Sequence, residues 1–222
     1  MEDKLANKHF LVIGAFDFTY QDFGGQPVKT RELYNTLKRH LVYSHVDFFE
    51  TIGWKRNPLK SIVRLVKKIK HSDVIIMVPA QNGLKILTRL ILMFRKKECL
   101  VYYDVIGGWL PEIVKNNNPL KRMLKRFQGI WVETTRMLHS LNEQNFHNVH
   151  VLYNFKDLKR VPVTMVESRN KSIRLCTFSR VMEKKGIEIA INSVLKINNE
   201  SDSIVFTLGK RFRHLAEDFG TD

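Results

Sequence analysis

The chain has 222 residues, 44% of them hydrophobic, and a net charge of +15 from 37 Lys+Arg against 22 Asp+Glu. That length suits one large domain, or one domain with part of another, and the apolar content excludes wholesale disorder. No apolar run approaches the ~20 residues needed to cross a bilayer, and Met1-Glu2-Asp3-Lys4 lacks the basic-then-apolar order of a secretion signal.

Strand-like and helix-like segments alternate along the chain. Phe10 to Ala15 reads as a strand, Val28 to Leu41 as a helix, Val46 to Phe49 as a strand and Leu59 to Ile69 as a helix. The almost wholly apolar Val74 to Val78 is a strand closed by Pro79, and Leu84 to Phe94 an apolar helix. Further strands fall at Leu100–Val105, Ile130–Glu133 and Val149–Tyr153, with helices near Leu120–Phe127 and Arg136–Gln144. Strands apolar on both faces and alternating with helices predict a doubly wound parallel sheet, Rossmann-like, over residues 1–157. Residues 158–172 are polar and poor in apolar periodicity, and read as a linker. Ile173–Phe178, Gly186–Ile197 and Ser203–Leu208 then predict strand, helix and strand, an incomplete second Rossmann-like unit over 173–222. Cys99 and Cys176 lie in strand-like runs, as buried thiols of a cytoplasmic chain would.

The positive charge implies a polyanionic neighbour. Seven cations fall between Lys55 and Lys70. At helical spacing Leu59, Ile62, Val63, Leu65, Val66 and Ile69 form the expected buried stripe, with Lys60, Arg64, Lys67 and Lys68 mostly opposite. Such a face is either simply solvated or rests on an anionic membrane surface. No nucleic-acid motif accompanies the charge, and the aromatics are strand residues rather than a stacking platform.

Four places carry candidate chemistry. Gly24 and Gly25, before the first helix, permit close backbone approach to an anion or sugar, and Pro27 suits a first helical turn; a bare tight turn is the alternative. The spacing departs from the dinucleotide fingerprint, and no acid closes the second strand as that fingerprint requires. Asp104, Gly107, Gly108 and Trp109 end the fourth strand, where Asp104 would accept hydroxyl hydrogen bonds as the candidate catalytic carboxylate and Trp109 would stack on a sugar face. Alternatively Trp109 and Leu110 seal the core and Asp104 caps a turn. Thr134 reads as a helix N-cap after Glu133, and Asn154 as a hinge residue before the linker. Arg180 and Lys185 stand at a turn before a helix, a fork and a point charge suited to one diphosphate. Metal-ligand spacing, a Walker loop and a Gly-x-Ser-x-Gly elbow are all missing, so no metal is expected.

In chain order, Gly24-Gly25, Gly107-Gly108-Trp109-Leu110-Pro111, Val149 to Asn154 with Asp157, and Phe178-Ser179-Arg180 with Lys185-Gly186 resemble the retaining, nucleotide-sugar-dependent glycosyltransferases of the two-Rossmann (GT-B) architecture, family 4. The second segment is similar to bacterial capsular or exopolysaccharide enzymes. The resemblance implies a nucleotide-diphosphate-sugar donor held by Arg180 and Lys185, which stabilise the leaving diphosphate in place of a metal. It implies a glycan or lipid-linked acceptor, Gly24 and Gly25 approaching donor or acceptor through the backbone, and Asp104 and Trp109 lining the acceptor side. It also implies work at the inner face of the plasma membrane, with Lys60, Arg64, Lys67 and Lys68 as the contact. Ser179 stands where the family usually has Gly, and the family's later pair of glutamates would lie beyond Asp222. The sequence therefore reads as a truncated member with donor binding impaired; the other class of reading is a non-catalytic acceptor- or membrane-binding remnant.

Overall fold

The computed structural model describes residues 6–18, 24–155, 173–178, 185–198 and 204–209. The chain divides into two units, Met1–Lys159 and Arg160–Asp222. The linker expected at 158–172 lies outside the described residues.

The first unit is the doubly wound sheet that the alternating pattern predicts. Its strands are β1 (His9–Gly14), β2 (His45–Glu50), β3 (Val74–Val78), β4 (Leu100–Asp104), β5 (Gly129–Val132) and β6 (Val149–Val151). All pair in parallel in the order β2-β1-β3-β4-β5-β6. In register, Val12 lies beside both Phe48 of β2 and Ile76 of β3. The connecting helices are α1 (Gly25–His40), α2 (Pro58–His71), α3 (Gln81–Phe94), α4 (Leu110–Lys115), α5 (Asn118–Leu124) and α6 (Thr135–Asn142). Their starts follow local chemistry. Pro58 opens α2, where a missing N–H is harmless, and the Asn117 and Thr134 side chains accept from Leu120 N and Met137 N at 3.1 and 3.2 Å.

Strand alternation sends side chains to two cores. Leu11, Ile13, Ile75, Met77, Val101, Tyr103 and Ile130 meet α2 through α6, which bring Leu65, Ile69, Leu87, Ile91, Leu120 and Leu141. Phe10, Val12, Val74, Ile76 and Val78 meet α1, through Leu33, Tyr34 and Leu37. Among the described residues, five helices thus cover one face and a single helix the other. Cys99 is buried in the first core, where desolvation pushes its thiol up to about 11, so it stays protonated and unreactive.

The α1 contact is close. A Cβ added at Gly14 would stand 2.8 Å from Thr30 Cγ2 and 3.3 Å from Val78 Cβ. Gly14→Ala is expected to lose about 1–3 kcal/mol of stability in a urea melt through overpacking. An unchanged midpoint would show that α1 moves out freely.

One expectation fails in α2. Only Leu65 and Ile69 of the expected stripe are buried, Ile62 and Val66 are half-buried, and Leu59 and Val63 lie 81% and 57% exposed. The helix follows β2, an edge strand of the sheet, and Leu59 and Val63 find no apolar cover among the described residues. Lys68 also departs from the expected free face, since it is ion-paired with Asp47 of β2.

In the second unit β7 (Ile173–Phe178) and β8 (Ile204–Gly209) pair in parallel, Ile173 beside Ile204 and Phe178 beside Gly209, with α7 (Ile187–Asn198) between them in sequence. This is the strand, helix and strand read from the sequence.

Candidate functional site

The sheet reverses its winding between β1 and β3, because β2 lies on one side of β1 and all later strands on the other. Ligands of doubly wound sheets bind outside the strand carboxyl ends at that point. A cleft of about 270 Å³ opens there. Ala15 after β1, Thr51 after β2 and Pro79 and Ala80 after β3 form its floor, with Gln26 of α1 and Asn82 and Gly83 of α3 on the sides. Trp54 and Lys55 of a short 3-10 turn, Trp54–Arg56, supply an aromatic plane and a cation. Amides, a hydroxyl and one indole face, with a single cation beside them, suit a polyhydroxylated ligand. Gln26 is fixed by donating Nε2–H to Val78 O at 2.9 Å.

Sequence reasoning passed over Trp54, Thr51 and Asn82. The stretch 51–57 has no periodicity to flag it, and its place depends on β2 ending beside β1. It also passed over Glu50, the last residue of β2, an acid that closes the second strand but not in the role the fingerprint gives it. Its carboxylate accepts from the backbone N–H of Phe16 (3.1 Å), Asp17 (2.8 Å) and Ile52 (2.8 Å), and shapes the loops around the cleft.

One turn further into α1 lies a buried charge cluster. Lys29, 7% exposed in its side chain, brings Nζ to 2.7 Å from Asp104 Oδ1 at the end of β4. The same ammonium donates to Val105 O at 3.1 Å and to Glu133 Oε1 at 3.3 Å beyond β5. Glu133 Oε2 in turn accepts from Gly107 N at 3.3 Å, and Gly107 sits at φ 78°, where a side chain would be strained. Asp104 has no exposed surface, and neither of its oxygens accepts an aligned hydrogen bond from a described residue. Burial pushes its carboxyl up to about 6; the Lys29 ammonium opposes that rise and the Glu133 carboxylate adds to it. Lys29 therefore ties the first turns of α1 to two other strand ends.

The sequence-derived candidates are distributed as follows. Gly24 is the N-cap of α1 and Gly25 its first residue, with open space where a Cβ would point. Asp104 and Gly107 join the Lys29 cluster rather than the cleft. Gly108 is exposed, and Trp109, half-buried, packs against the first core beside the fully buried Leu110, as the core-sealing alternative has it. Asp104 caps no turn, and Thr134 is the N-cap of α6. Asn154 is exposed just past β6. Lys185 is exposed, and Gly186, at φ 65°, precedes α7 with its carbonyl accepting from Ala190 N at 3.0 Å. Arg180 lies outside the described residues. Among the described residues no group of three or more His, Cys, Asp or Glu side chains could hold a metal ion. No described helix is long and apolar enough to cross a membrane.

The chain is similar in fold to HepE. The crystal structure of Anabaena Alr3699/HepE in complex with UDP and glucose matches with a TM-score of 0.52 and 14% identity, covering 92% of this chain and 70% of HepE. No family model matches the chain, and no curated protein does. The likeness to HepE is one of fold: a Rossmann-like parallel sheet flanked by helices.

Proposed function

We propose that the chain is a glycosyltransferase that moves a sugar from a nucleoside-diphosphate donor to a glycan precursor. The observation that carries this reading is the Trp-walled cleft at the winding reversal of a sheet whose fold neighbour holds UDP and glucose. In this reading the cleft takes the acceptor sugar, Trp54 lying against its apolar face while Gln26, Thr51 and Asn82 meet its hydroxyls. Arg180 and Lys185 bind the donor's diphosphate and stabilise the charge that gathers on it as the glycosidic bond breaks. Gly24 and Gly25 open α1, whose first turn carries no acidic residue, an arrangement that suits an approaching phosphate. Asp104, fully buried, acts on the site through Lys29. No metal enters this scheme, because the Arg180 and Lys185 cations do the neutralising. The finer assignment, a retaining family 4 enzyme of capsular or exopolysaccharide type, rests on the four motif segments.

Calorimetric titration with UDP and UDP-sugars tests the donor side. Arg180→Ala and Lys185→Ala are each expected to weaken binding about tenfold or more, as the loss of a charge-assisted contact does. UDP affinity indifferent to both changes would overturn the assignment. A second reading, acceptor binding without transfer, is favoured by one observation: the cleft is built wholly from residues of the first unit. Sugar binding that needs Trp54 and persists without any UDP affinity would select it.

A further inference from the structure

The cleft at the strand carboxyl ends has a charge on its wall and nothing beside it to answer that charge. Among the described side chains that line it, Lys55 is the one cation, and there is no acid. The elements around the cleft repeat the pattern. α1 and α3 carry no acidic residue in their first turns, and the sequence from Thr51 to Ser72 has none. Glu50, the acid nearest in sequence, is taken up by the backbone N–H groups of Phe16, Asp17 and Ile52. Lys55 is exposed and meets no carboxylate among the described residues.

Sites for neutral sugars commonly set a carboxylate against the hydroxyls, because a hydroxyl donates a hydrogen bond as readily as it accepts one. This wall has an ammonium in that place, which only donates. It suits a ligand that brings the carboxylate itself. The amount of charge narrows the choice further. One ammonium balances one negative charge, whereas a phosphomonoester carries roughly two near neutral pH and calls for an Arg fork or a second cation. A volume of about 270 Å³ suits a single sugar ring rather than a nucleotide.

The local backbone sets the two recognising side chains next to each other. Gly53, at φ 72°, leads into the 3-10 turn, which closes with Arg56 N–H donating to Gly53 O at 2.9 Å. Trp54 is half-buried and packs against the first core, so the indole is held, and Lys55 follows it directly. In a hexuronic acid the carboxylate leaves the ring at its edge, next to the apolar face that an indole covers.

We propose that the sugar taken by this cleft is a hexuronic acid, its ring on Trp54 and its carboxylate on the Lys55 ammonium. Thr51 and Asn82 then meet the remaining hydroxyls. The acceptor is thus an acidic glycan ending in a uronate, and Lys55 is the residue that selects its charge. This inference rests on the reading of the cleft as an acceptor site, and draws nothing from Arg180, Lys185 or the donor.

The test titrates the full chain with methyl glucuronide, methyl glucoside and glucose phosphate, followed by ligand-observed NMR. The glucuronide is expected to bind about three- to tenfold more tightly than the glucoside, as one charge-assisted contact at an exposed lysine allows. That advantage should shrink as salt is added. Lys55→Gln should erase it while leaving the glucoside's affinity in place, and Lys55→Arg should restore much of it. Because Lys55 is exposed, both variants are expected to melt with the parent. Equal binding of the two glycosides, a preference that survives Lys55→Gln, or tightest binding of glucose phosphate would each overturn the proposal. Binding of none of the three would remove the acceptor reading of the cleft, and this inference with it. A glucoside bound as well as the glucuronide sinks the charge selection alone, so the two failures are distinguishable.

Discussion

Lys29→Met should destabilise the chain by about 3–5 kcal/mol at neutral pH, the largest effect of any exposed-looking residue in the sequence. The reason is what it leaves behind rather than what it removes. Without the ammonium, Asp104 stays sealed beneath the sheet's carboxyl edge with no cation within reach, and Glu133 loses one of its two donors. Methionine fills nearly the same space, so the loss reports charge and not packing. Two further measurements separate this from a general weakening. Lys29→Met/Asp104→Asn should recover much of the loss, because a neutral amide needs no counterion, giving a strong coupling term in the double-mutant cycle. Acidification should also rescue the single variant, since Asp104 can then be neutral. Chemical denaturation at two pH values reads both. Additive variants with the same loss at pH 5 and 7.5 would mean that the ion pair contributes little.

The second large effect is a pH dependence whose sign runs against the usual carboxylate. Asp104 has its carboxyl raised from 3.8 to about 6, chiefly by burial. Between those two values the folded chain holds a proton that the unfolded chain has released. Stability from this group is therefore complete below about pH 3.8 and is lost as pH rises through about 6. The displacement corresponds to about 3 kcal/mol. Asp73 pulls the other way: the His9 backbone N–H and the Lys96 ammonium hold it below the ordinary carboxylate range, so its contribution appears as pH rises. For that reason the quantity to measure is the difference between the parent chain and Asp104→Asn. That difference should fall by about 2 kcal/mol from pH 4 to pH 7 in urea melts. A difference that stays flat, or grows with pH, would show Asp104 ionised throughout by Lys29.

Much of the architecture is legible from local pattern because a strand covered on both faces must be apolar at every position. Val74-Ile75-Ile76-Met77-Val78 can be little else once Pro79 closes it. Right-handed crossovers between parallel strands then limit the winding without fixing the strand order, which the pattern leaves open. The failures share one physical origin, dependence on partners distant in sequence. Leu59 and Val63 have the same periodicity as Leu65 and Ile69, and only the sheet's edge decides which pair finds a core. Lys29 reads as a surface residue of a basic helix, because its three acceptors lie more than 70 positions away at two other strand ends. Trp109 and Trp54 are both aromatics beside a Gly at a strand's end, yet the first turns into the core and the second lines the cleft. The diphosphate pair rests on motif alone, with Lys185 placed at the start of α7 and Arg180 outside the described residues.

The buried cluster also constrains how this lineage drifts. Lys29, Asp104 and Glu133 sit on three separate segments, yet replacing the lysine alone strands charge on the other two. Viable descendants must exchange them together or first pass through a neutral stand-in at position 104. Three scattered codons are thereby bound into one hereditary unit.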